Sequence, residues 1–234
     1  MSSSYDNPFV VAADGELEAR QTFIRRTYLH LAAALLSFVM IEAILMQIPA
    51  LEGLVDLMLG AWWLVLLAFV GVSWLADKWA RSDLAPGVQY LGLALYVVAE
   101  AVIFLPLLHL VVYRVGDPQI IPMAGIITGL LFVGLTATAF WSGVNFSFLR
   151  GALMIGGMVA VGAIICSLIF GFSLGIVFSS AMLLFAGGSI LYTTSSIIHE
   201  YRTDQYVAAS LALFAGVMLL LWYVIRILLA ARKG

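Results

Sequence analysis

Charge is scarce in this chain. Of 234 residues, 11 are Lys or Arg and 13 are Asp or Glu, so only 10% are charged, against about 25% in an ordinary soluble domain. The net charge of −2 and the lack of any basic cluster leave no basis for nucleic-acid binding. One cysteine, Cys166, sits inside an apolar run. It cannot form an internal disulfide, and no cysteine metal cluster is expected. The three histidines, His30, His109 and His199, do not fall in an HExxH spacing, and the sequence holds neither a GxSxG elbow nor a phosphate loop. No pair of aspartates lies within the predicted spans, as an intramembrane protease would require. The chain is not expected to be an enzyme, and no cofactor is expected.

What is abundant is apolar sequence: 64% of residues are hydrophobic, about a third more than the soluble norm of roughly 45–50%. Runs of about 20 apolar residues recur, long enough to cross a bilayer core of about 30 Å as helices. The period-two alternation of a membrane barrel is missing. The fold class is therefore all-α integral membrane protein, with seven transmembrane helices and the lipid bilayer as its surroundings. Predicted spans run over about 27–48, 54–76, 88–111, 119–141, 149–170, 176–198 and 206–229. Residues 1–26 read as a polar, mobile N-terminal tail, and 27–231 as one transmembrane domain. A signal peptide is disfavoured because acids precede a long first run.

Seven spans put the two ends on opposite sides. Arg20, Arg25, Arg26, Lys78, Arg81, Arg150 and Arg202 fall on the N-terminal side; Arg114, Arg226, Arg232 and Lys233 fall on the other. The excess predicts a cytoplasmic N-terminus. Gly125 and Gly129, with Gly134 beyond, have the small-residue spacing that permits close helix contact.

Two acids stand out by depth. Glu42 and Glu100 both fall near the middle of their spans, where a carboxylate must be paired, hydrated or protonated. One reading is a cation or proton site between the first and third spans; the other is a neutral, hydrogen-bonded packing role. Pro106 follows Glu100 and frees a carbonyl near residue 102. His109 ends the third span as a polar cap or a pH-sensitive group. On the sixth span Ser189, Tyr192/Thr193, Ser196 and His199/Glu200 recur at helical spacing and share one face. A polar stripe of this kind faces protein or a water-filled cavity. His199, Glu200, Arg202 and Asp204 then form a short polar hinge, read as a solvated turn with a loose ion cluster.

The segment from Leu184 to Thr194, LFAGGSILYTT, together with Ile197-Ile198-His199, YVAASLALF at 206–214 and Arg226-Ile227-Leu228, resembles the Bax inhibitor family, in particular its bacterial YccA-like branch. Phe23–Tyr28, Glu100 with Pro106-Leu107-Leu108, and Asn145–Leu149 extend the resemblance over nearly the whole chain. The resemblance implies a seven-helix bundle wrapped around its last helix. It also implies a bacterial inner-membrane location and one of two activities. Some relatives are pH-sensitive calcium leak channels; YccA-like relatives restrain a membrane-anchored AAA protease. Animal members are linked to suppression of cell death. Leak-type members carry paired aspartates, and their positions here are Thr193 and Gly216, neither of which ionises.

Two expectations follow. In the first, the chain is a calcium or proton leak, with Glu100 and Glu42 as intramembrane acids, Ser189, Thr193 and Ser196 lining the path, and calcium present only as the transported ion. In the second, it conducts nothing and regulates a protease or other membrane complex by contact.

Overall fold

The final helix, α8 (Tyr206–Ala231), has no charged residue before Arg226 and no exposed residue from 206 to 230. A helix that is apolar all round is stable only when surrounded. The computed structural model, which describes residues 11–13, 17–82 and 85–232, surrounds it. Around α8 pack α1 (Leu17–Leu45), α3 (Trp62–Ala80), α4 (Pro86–His109), α5 (Ile120–Trp141) and α7 (Gly175–His199). A sixth helix, α6 (Leu149–Phe170), packs on α7. With α8, these helices make seven elements long and apolar enough to cross a membrane. Leu36, Leu130, Ile169 and Leu184 are among the many large apolar side chains left exposed, as a lipid-facing surface requires. The all-α, seven-span fold and the central last helix are both present.

Close contacts lock the bundle at a few places. The Ser210 hydroxyl donates to the Thr27 carbonyl at 2.8 Å, joining α8 to α1. Phe104 of α4 meets Phe38 edge-on at 5.2 Å and Trp222 at 5.1 Å. A side chain on Gly92 would strike the Ala76 carbonyl and Ala80 nitrogen, each 2.6 Å from its Cβ position, so α3 and α4 touch backbone to backbone there.

Several boundaries differ from expectation. The predicted second span is broken: α2 (Glu52–Gly60) ends at Gly60, Ala61 leaves helical geometry at φ −122° and ψ 40°, and α3 makes the crossing. Gly60 is the residue least committed to helix. The first helix begins at Leu17, not near Thr27, so residues 17–26 of the predicted tail are helical. Part of the remainder is held in place: Val11 forms an antiparallel bridge with Arg202, and the Ala12 nitrogen donates to the Tyr201 carbonyl at 2.9 Å. Residues 1–10 and 14–16 of that segment lie outside the described residues. Pro106 stays within α4, and the helix then widens into a π turn over Leu110–Arg114. Gly125, Gly129 and Gly134 do not mediate close packing within the chain, since a Cβ on any of them would meet open space. The spacing was real; the face it marks points outward.

Candidate functional site

Ser73, Asp77 and Arg81 recur at four-residue steps and so share one face at the end of α3. They meet the polar stripe of α7 across a cavity on the N-terminal side of the bundle. One lobe, of about 310 Å³, is lined by Arg81, Arg150, Tyr192, Thr193, Ser196, Glu200, Tyr201 and Gln205. A second, of about 480 Å³, shares Arg81, Arg150, Tyr192 and Thr193 and adds Ser73, Asp77, Tyr96 and Ser189. Ser189, Thr193 and Ser196 therefore face one polar space, as their spacing requires.

At the mouth, Arg81 donates from Nε to both Asp77 carboxylate oxygens at 2.8 and 2.9 Å, with its guanidinium 5.9 Å from the Tyr201 ring centre. Burial works against the Arg81 charge, but Tyr201 and Asp77 more than offset it, so its affinity for the proton is raised. Burial also pushes the Tyr201 hydroxyl above its ordinary value, with Arg81 pulling part of the way back. The hinge is firmer than a solvated turn. Arg202 grips Asp204 through two bonds, of 3.0 and 2.8 Å, and its backbone N–H donates to the Gln205 side chain at 3.2 Å. His199 Nδ1 donates to the Ser195 carbonyl at 2.8 Å, and the Ser195 hydroxyl accepts from the Phe146 nitrogen at 2.9 Å. The second of these pins the α5–α6 loop to α7. Glu200 lines the cavity.

At the inner end stands Tyr96. It lines the cavity, yet it is buried, with Phe69 at 6.2 Å and Phe214 edge-on at 6.1 Å. One turn further into the membrane, on the same face of α4, is Glu100, also buried and electrostatically coupled to Tyr96. Tyr96 thus separates the carboxyl from the polar space.

Glu42 is not beside Glu100. Two contacts set the register of α1 against α4 at this depth: Phe38 on Phe104 at 5.2 Å, and the Tyr113 hydroxyl on the Met46 carbonyl at 3.0 Å. Glu42 lies one turn above the Phe38–Phe104 level and Glu100 one turn below it. Eight residues at about 1.5 Å each separate them by about 12 Å along the membrane normal. By the same register His109 stands at the level of Glu42. Both Glu42 carboxyl oxygens and both His109 ring nitrogens are buried without a hydrogen-bond partner.

The two positions matched to the family aspartates differ in kind. Thr193 borders the cavity, whereas a Cβ on Gly216 would lie 3.1 Å from Ile190 Cγ1, in a packed contact. Sequence reasoning missed Tyr201, Arg81, Asp77, Arg150 and Ser73. The four-residue repeat of Ser73, Asp77 and Arg81 was the available signal. Tyr201 and Arg150 carried none, because loops and separate helices bring them in. Among the described residues no group of three His, Cys, Asp or Glu side chains could hold a metal ion.

A family model described as "Inhibitor of apoptosis-promoting Bax1" matches residues 20–233. An uncharacterized protein of Pseudomonas aeruginosa is 30% identical over 156 residues, covering 65% of this chain and 67% of the relative. An uncharacterized membrane protein of Vibrio cholerae is 28% identical over 48% of this chain, which spans about half, 51%, of that relative. A BI1-like protein of Arabidopsis thaliana is 28% identical over 92% of this chain and 82% of its own length.

Proposed function

This chain belongs to the Bax inhibitor family, and on that premise we propose that it is a membrane leak pathway whose gate is the Tyr96–Glu100 pair. The observation that carries this reading is the double position of Tyr96: it lines the polar cavity and stands one turn before the buried acid, which does not line it. Swinging the phenol aside would join Glu100 to water on the N-terminal side, which the charge bias makes cytoplasmic. Glu42 and His109, about 12 Å further on, are the next groups able to take a proton. Protons fit this path better than calcium does. Calcium takes six to eight oxygen ligands, whereas Glu100 is a single buried carboxyl behind Tyr96, apart from the hydroxyls that line the cavity.

The deciding experiment is proton and calcium flux in proteoliposomes across pH, comparing the native chain with Glu100→Gln and Tyr96→Phe. Proton flux that collapses in Glu100→Gln supports the reading. Flux unchanged in Glu100→Gln removes it.

A second reading has its own observation. Val11 and Ala12 are tied to Arg202 and Tyr201, and the Tyr201 side chain forms the cavity mouth. A membrane-anchored AAA protease that pulled on the preceding residues would pull on the hinge. In this reading the chain is a contact regulator of a bacterial inner-membrane complex. Deletion of residues 1–10 then weakens the association, while Glu100→Gln leaves it intact.

A further inference from the structure

The face opposite the polar cavity holds a second cavity, of about 460 Å³. The start of α3 contributes Trp62, the end of α4 and the π turn after it Pro106 and Leu110, and the end of α8 Trp222, Arg226 and Leu229. Its wall is mainly apolar, and Arg226 is the one charged side chain in it. Trp62 and Trp222 stack at 5.9 Å with their planes 16° apart, giving a flat aromatic surface. Arg226 makes no ion pair or hydrogen bond to any described residue, although it is half-buried. It lies five residues, about 8 Å, short of the end of α8.

A guanidinium in an apolar wall is costly without a counter-charge. Its planar fork suits a phosphate. The position, near a helix end with tryptophans alongside, is the depth of lipid headgroups and upper acyl chains. A basic pocket between membrane helices is the kind of site that takes an anionic headgroup. We propose that this cavity binds an anionic phospholipid of the surrounding leaflet, its phosphate on Arg226 and an acyl chain against Trp62, Trp222 and Leu110. The site is on the other face from Tyr96 and Glu100, so it stands whether or not the chain conducts.

The test is thermal unfolding of the purified chain in nonionic detergent, with phosphatidylglycerol or phosphatidylcholine of identical acyl chains added. The native chain gains several degrees more from phosphatidylglycerol. Arg226→Gln loses that preference by removing the charge. Leu110→Trp also loses it, by filling the cavity with the charge intact, and it keeps the test decisive should Arg226→Gln fail to fold. Equal shifts from the two lipids overturn the proposal, as does a preference that survives both substitutions. A shift matched by glycerol phosphate alone also overturns it, because the site would then hold a small anion and not a lipid.

Discussion

The Tyr113 hydroxyl donates a 3.0 Å hydrogen bond to the Met46 carbonyl, and this contact sets the register of α1 against α4 near their C-terminal ends. One turn below it on each helix stand Glu42 and His109. Two buried groups without partners at one level are an unusual burden for a folded chain, and in the leak reading they are a second proton-holding level beyond Glu100.

Glu42→Leu is expected to make the chain more stable and less active. Replacing a buried carboxyl that lacks a partner with a side chain of similar size removes a desolvation cost of about 1–3 kcal/mol. Thermal unfolding should show a higher midpoint and proteoliposome assays a lower proton flux, the exchange of stability for function seen at strained sites. A lower midpoint would mean that Glu42 has a partner, such as a buried water, that Leu cannot replace.

Glycines of the same type divide by neighbour. Gly92→Ala forces backbone apart at 2.6 Å and should cost about 3 kcal/mol or more, as severe overpacking does. Gly216→Ala meets Ile190, which is itself fully buried against Ala186 and Leu220 and has little room to yield; a cost of about 1–2 kcal/mol is expected. Gly125→Ala and Gly129→Ala meet nothing and should be neutral or stabilising by a few tenths of a kcal/mol to about 1 kcal/mol, through helix propensity. Unfolding midpoints of the four variants check the order.

Alkaline pH should loosen the hinge through Tyr201. Its hydroxyl is raised above an ordinary value near 10 by burial, with Arg81 partly opposing. The contribution is fully present below the unfolded value and declines as pH rises through the folded one, because the unfolded chain ionises first. Stability measured above about pH 10 should therefore fall less steeply in Tyr201→Phe than in the native chain. Identical slopes would show that Tyr201 stays as solvated in the fold as out of it.

The amino-acid sequence by itself determined the class of fold, the number of crossings and the burial of the last helix, since each depends on composition along one segment. An uncharged run from Val207 to Ile225 has to be enclosed, whatever encloses it. The facing of Ser189, Thr193 and Ser196 into one space was equally local, a matter of helical period. Contacts between segments are a different matter. The 12 Å step between Glu42 and Glu100 depends on how far one helix is shifted along another. That shift is set by side chains such as Phe38 and Phe104, whose meeting no periodicity encodes. The same holds for Gly92 and Gly125: alike in sequence, one lies against a backbone and one faces outward. The Tyr201–Arg81 mouth and the clasp of Ala12 on the hinge join residues more than a hundred positions apart. Only packing in three dimensions decided them, because the energy that fixes a helix period is local and the energy that fixes a register is not.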